Sequence, residues 1–149
     1  MPSTFRDNLR LFVAPERLVE VLRCLKNECG FAFLSELGAT DYLGYPGRTR
    51  PRFEVHYVLL HLDTSERLVV KVGVDEPDPS VPTVVPLWPG ANWMEREVYD
   101  MYGITFTGHP DLRRILMPDE FTAFPLRKDY PLRGRGERHN FPRLTRADS

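Results

Sequence analysis

Three acidic side chains in one short stretch, Glu95, Glu97 and Asp100, have the types and spacing to act as general acids or bases. Such work needs a carboxyl with a burial-shifted pKa in a substrate cleft. The plainer alternative is a charged helix face on which Arg96 and Asp100 pair four residues apart. It carries more weight, because charges on a helix face seldom titrate abnormally. Further on, His109-Pro110-Asp111 offers half a metal site. One imidazole and one carboxylate are too few ligands, and His56, His61 and His139 are not spaced to complete the set. A hydrogen-bonded structural histidine is the default. Two basic pairs, Arg113-Arg114 and Arg127-Lys128, suit phosphate or nucleic acid. They equally suit carboxylates on a protein partner, where arginine's planar fork makes bidentate contacts. The nearby Phe121, Phe124, Tyr130 and Phe141 fit interface anchors as well as base-stacking platforms. No nucleophile elbow, glycine-rich phosphate loop or dinucleotide fingerprint occurs.

The charge balance favours the protein partner. The 149 residues hold 20 basic and 21 acidic side chains, which argues against a nucleic-acid binder relying on overall charge. Seven basic and three acidic residues fall in 127–149, against thirteen and eighteen in 1–126. An acidic body with a basic tail gives the tail a separate job. That tail, with Pro131, Gly134, Gly136 and Pro142, cannot build a core of its own. It is either disordered or orders along a partner, burying Phe141 and Leu144. Hydrophobic residues at 42% and charged residues at 28% are those of an ordinary globular domain. The densest apolar stretches, 55–62 and 68–74, are too short and too interrupted to span a membrane. No signal peptide is expected from the first ten residues. Cys24 and Cys29, read as lying in one helix on different faces, are expected to be free thiols. Without a Cys-x-x-Cys pair, neither zinc nor an iron–sulfur cluster has a ligand set.

These side chains must be carried by elements that the patterning announces. Residues 8–13 read as a short strand. Pro15 opens a helix over 15–29, with Leu18, Val21, Leu22 and Leu25 on one face and Gly30 at its end. Residues 31–34 read as a buried turn or short strand, and 40–51 as a loop. Residues 53–62 and 67–74 alternate and form an antiparallel hairpin around Asp63-Thr-Ser-Glu66. Five prolines in 75–89 predict a packed loop. A second helix spans 92–102. Asn92 and Glu95 form its capping box, and Met94, Val98, Met101 and Tyr102 its apolar stripe. Glu95, Arg96, Tyr99 and Asp100 lie opposite, and Gly103 stops it. Residues 104–106 read as a short strand, and the chain from 108 onward as loop.

The run Trp88-Pro-Gly-Ala-Asn-Trp-Met-Glu-Arg-Glu-Val-Tyr-Asp-Met-Tyr-Gly-Ile-Thr-Phe-Thr-Gly-His-Pro-Asp-Leu-Arg-Arg-Ile-Leu-Met117 closely resembles the C-type subunit of NADH:quinone oxidoreductase, respiratory complex I. So does Pro125-Leu-Arg-Lys-Asp-Tyr-Pro131, and with the hairpin and proline-rich loop the resemblance covers most of 8–142. Two departures stand out. A further helix and strand usually precede the matched region in relatives, so the sheet here would lack an edge or borrow one. Ala123-Phe124 stands where relatives often carry Gly-His.

The resemblance implies a peripheral-arm subunit, on the cytoplasmic side of the bacterial inner membrane. It implies packing against the D-type subunit that helps form the quinone site. FMN and iron–sulfur clusters would be held by other subunits, with no catalytic, cofactor or metal residue in this chain. Glu95, Arg96, Glu97, Asp100, Gly103, His109, Pro110, Asp111, Arg113, Arg114, Arg127, Lys128 and Asp129 then read as subunit-interface or signature residues. The expected architecture is a two-layer α+β fold, a mixed, mostly antiparallel sheet with helices on one face plus an extended C-terminal tail. Residues 1–126 make the domain, with the signature helix and loop (92–131) at its end, and 127–149 a basic tail binding a partner subunit. Two rivals stand beside this. One is the equivalent subunit of a membrane-bound hydrogenase or a ferredoxin- or deazaflavin-driven quinone reductase. The other is a free-standing enzyme with Glu95, Asp100 and His109 around a pocket.

Overall fold

The computed structural model describes residues 2–5, 8–47 and 51–137; Phe141 and Leu144, the anchors expected in the tail, lie outside them. Strands β1 (Pro2–Phe5) and β2 (Asn8–Val13) are followed by a 3-10 turn at Pro15–Arg17 and helix α1 (Leu18–Asn27). Then come β3 (Phe33–Asp41), β4 (Phe53–Leu60), β5 (Arg67–Val74), β6 (Ser80–Pro82), α2 (Ala91–Tyr102) and β7 (Thr105–Thr107). The main sheet runs β1-β2-β5-β4-β3, antiparallel except for the parallel β2–β5 pair; β6 and β7 form a small parallel sheet. This is the α+β architecture the patterning predicts. Strand β1 pairs antiparallel with β2 at one end of the sheet.

The hairpin β4–β5 organises the core. Its register sets Phe53, Val55, Tyr57 and Leu59 beside Val74, Val72, Val70 and Leu68, all on one face and all buried. Strict alternation is the reason, since every second side chain points the same way. Leu18 and Leu22 of α1 and Val98 of α2 join these residues in one cluster, so both helices pack on that face.

Four local expectations need correction. Strand β3 runs to Asp41, where a loop from Thr40 was expected. A bulge between Leu34 and Glu36 sets the buried Leu34 and Leu37 three apart and erases the two-residue period. Helix α1 stops at Asn27 rather than 29. The backbone then turns, Cys29 N–H donating to the Cys24 carbonyl at 3.2 Å. Cys29 therefore lies past the end of the helix that was expected to hold both free thiols. Lastly, α2 has no capping box: its N-cap is Gly90 without a side-chain bond, and Glu95 turns inward.

Candidate functional site

Helix α2 carries the signature charges, and apart from Glu97 they do not form a solvated face. Glu95, Arg96 and Asp100 are all buried, because the segment 109–130 folds back over that side of the helix. Nor does Arg96 pair with Asp100. Its Nε and Nη2 donate to the carbonyls of Arg113 and Arg114 at 3.1 and 3.3 Å, and its guanidinium stacks on Trp93 at 4.9 Å. Asp100 accepts from the amides of Ile115, Leu116 and Met117 at 3.1, 2.7 and 2.8 Å, and from Arg114 Nη1 at 2.7 Å. Burial alone would raise this carboxyl. The three amides and the guanidinium outweigh it and hold the carboxyl below the usual range. Arg114 also donates to the Ala123 carbonyl and lies over Phe124.

Glu95 has the opposite surroundings. It accepts from Thr83 Oγ1 at 2.6 Å and from the Val84 amide at 2.7 Å. Burial dominates, and its pKa rises to about 7. His109 Nε2 stands 3.8 Å away, and both side chains are closed to solvent. The ring's Nδ1 accepts from the Asp111 amide at 3.0 Å, so Nε2 carries the proton and donates to the Asn92 carbonyl at 3.2 Å. His109 is thus the hydrogen-bonded structural histidine expected of it. The neighbouring Asp111 pairs with Arg113 on the exposed surface, and Pro110 is exposed beside them.

A second cluster fastens the C-terminal segment to the sheet. Asp41 accepts from Arg52 Nη2 at 2.8 Å and from the Lys128 amide at 2.9 Å. Arg52 also pairs with Glu76 and Asp129, at 2.8 and 3.0 Å. Arg127 pairs with Glu76 at 2.9 Å and donates to the Tyr102 carbonyl, its guanidinium lying over Phe53 and Phe124. Gly103 ends α2 at φ +72°, and a Cβ there would stand 2.5 Å from the Phe124 ring.

Most of the residues singled out in the sequence therefore meet, but around the chain's own backbone. Glu97 stands apart, exposed on α2. Thr83, Asp41, Arg52 and Glu76 went unrecognised, since nothing local in the sequence marks a partner 87 residues away, as Asp41 is from Lys128. Among the described residues no group of three or more His, Cys, Asp or Glu could hold a metal ion, and no helix is long and apolar enough to cross a membrane. The free-standing-enzyme reading needs Glu95, Asp100 and His109 open to a substrate, and all three side chains are fully enclosed.

This fold places the chain in a class of α+β subunits found in respiratory assemblies. It aligns with a chain of the membrane-bound sulfane sulfur reductase, an archaeal respiratory membrane complex, at TM-score 0.75 and 25% identity, covering 89% of this chain and 77% of that one. It also aligns with the trypsin-resistant fragment (1-134) of Nqo5 at TM-score 0.66 and 44% identity, covering 70% and 83%. The family model for the respiratory-chain NADH dehydrogenase, 30 Kd subunit, matches residues 11–136. The C-type NADH-quinone oxidoreductase subunit of Roseiflexus sp. (strain RS-1) is 53% identical over 132 residues, 87% of this chain and 74% of that protein. Its counterpart in Geobacter sulfurreducens is 46% identical, over 87% and 78%. The chain belongs to this C-type (30 Kd) family and is a subunit of the NADH-quinone oxidoreductase complex.

Proposed function

We propose that the chain is a non-catalytic, peripheral-arm subunit of the proton-translocating NADH:quinone oxidoreductase. It packs against the D-type subunit that helps form the quinone site and holds its neighbours in register for electron transfer from NADH to quinone. A misplacement of about 1 Å in such a site is costly. One observation carries the reading: the signature charges Glu95, Arg96 and Asp100 are buried and, with the partly buried Arg114, are bonded within the chain. They build a rigid surface rather than a reaction centre. FMN and the iron–sulfur clusters belong to other subunits, and membrane attachment on the cytoplasmic side of the inner membrane comes through the complex. Lys128, Arg113 and the basic segment beyond Arg127 serve the partner contact.

The test is affinity purification of the tagged chain from gently solubilised native membranes, with companions identified by mass spectrometry. Recovery with the quinone-site subunit and with flavin and iron–sulfur subunits is expected. A lone chain, or NADH dehydrogenase activity in the isolated chain, would sink the reading. The likeness to a sulfane sulfur reductase chain favours one alternative, the equivalent subunit of a related complex. Recovery without a flavin module would select it.

A further inference from the structure

Strand β3 is the outermost strand of the main sheet, and among the described residues β4 is its one strand neighbour. Its nine residues therefore carry a row of backbone N–H and C=O groups on the side away from β4. A groove of about 320 Å³ runs along it, lined by the five consecutive residues from Ser35 to Ala39. Successive side chains of a strand point to opposite faces, so five in a row share one groove only where that groove follows the strand's edge. The other wall is largely apolar: Met94, Val98 and Met101 of α2, then Leu126. Past Met94 a more apolar hollow of about 170 Å³, lined by Phe33, Leu34 and Trp88, adjoins it.

The charges beside this groove are acidic. Glu97 lines it from α2, exposed and with no hydrogen bond or ion pair to the described residues. Glu36 lines the opposite lip, with His56 at 3.6 Å. No Lys or Arg lines either hollow. Within the signature run, Glu95 and Arg96 are used inside the chain while Glu97 is left over.

We propose that an extended segment of a neighbouring subunit, bearing apolar residues and at least one Lys or Arg, docks in this groove as an added strand on β3 and pairs with Glu97. This deepens the reading given under Proposed function and rests on it. Main-chain hydrogen bonds along β3 supply affinity, and the apolar wall and two carboxylates supply selectivity. A second copy of this chain is disfavoured, because pairing edge to edge would bring Glu36 and Glu97 against their like. The bulge at the start of β3 and the Glu36 charge guard the same edge against indiscriminate pairing.

A photo-cross-linking residue at position 35 of the tagged full chain, on the exposed lip of the groove and leaving Glu97 in place, tests this in cells that make the assembly. Mass spectrometry of the purified complex should find the link on one extended, Lys- or Arg-bearing segment of a companion subunit. Glu97→Arg should lower recovery of that subunit about ten-fold or more, with the chain's own unfolding temperature unchanged. Reversing the Lys or Arg of the cross-linked segment to Glu should restore recovery. Links to residues 138–149 of the same chain, links to a second copy, or no link in an intact complex would overturn the docking proposal and leave the functional reading standing. No complex recovered with the unaltered chain would overturn both.

Discussion

Glu95 and Asp100 stand five residues apart on one helix, both sealed from water, and their carboxyls shift in opposite directions. Asp100 has three amides and a guanidinium; Glu95 has one hydroxyl and one amide. Desolvation wins where no cation answers it. Glu95 binds its proton more tightly folded than unfolded, so stability falls as pH rises through the window from about 4.5 to about 7. Linkage puts the loss at about 3 kcal/mol. Urea unfolding across that window should show the slope, and Glu95→Gln should flatten it; an unaltered slope would place the titration elsewhere. Asp100 works the other way, its stabilisation present above the ordinary carboxylate range and lost as pH falls through its depressed pKa. Asp100→Ala should cost about 3–5 kcal/mol, because Arg114 is left unpaired in a largely buried setting. The urea midpoint of the full chain measures it.

At the level of elements, helix α2 was half legible. Its apolar stripe Met94, Val98, Met101 and its stop at Gly103 follow from the 3.6-residue period and from the need for positive φ. Its other side reads as solvated only because the segment that covers it comes later in the chain. That segment also tightens the role of Gly103. Gly103→Ala should destabilise by about 1–3 kcal/mol, combining a left-handed backbone penalty with overlap against the Phe124 ring. Adding Phe124→Ala should relieve the overlap and leave the backbone part, which chemical unfolding of the single and double variants can separate. Strand β3 was largely illegible for a different reason: its bulge breaks the alternation by which strands are recognised.

Across the molecule, the cluster around Arg52 joins the end of β3, the loop after β5 and the segment beyond α2. Its guanidinium is mostly buried and answers three carboxylates, so removing it leaves Asp41 enclosed without its charge partner. Arg52→Ala should loosen residues 124–130 from the sheet and speed tryptic cleavage after Arg127 and Lys128 several-fold, with the core intact. Limited proteolysis followed by mass spectrometry reads this out, and unchanged cleavage would assign the hold on that segment to Arg114, Arg127 and the Lys128 amide bond to Asp41.

Neighbours along the chain were enough to announce the β4–β5 hairpin, the two amphipathic helices, the stop at Gly103 and the signature run that marks the family. Hydrophobic period and turn chemistry are local properties, so they can be read in order. What the signature charges do became visible only in the folded chain. Burial and pairing depend on groups brought together across many residues, as Asp100 meets 114–117 and Asp41 meets Lys128. A charge on a helix reads alike whether water or a folded-back segment covers it. In this fold it is the segment.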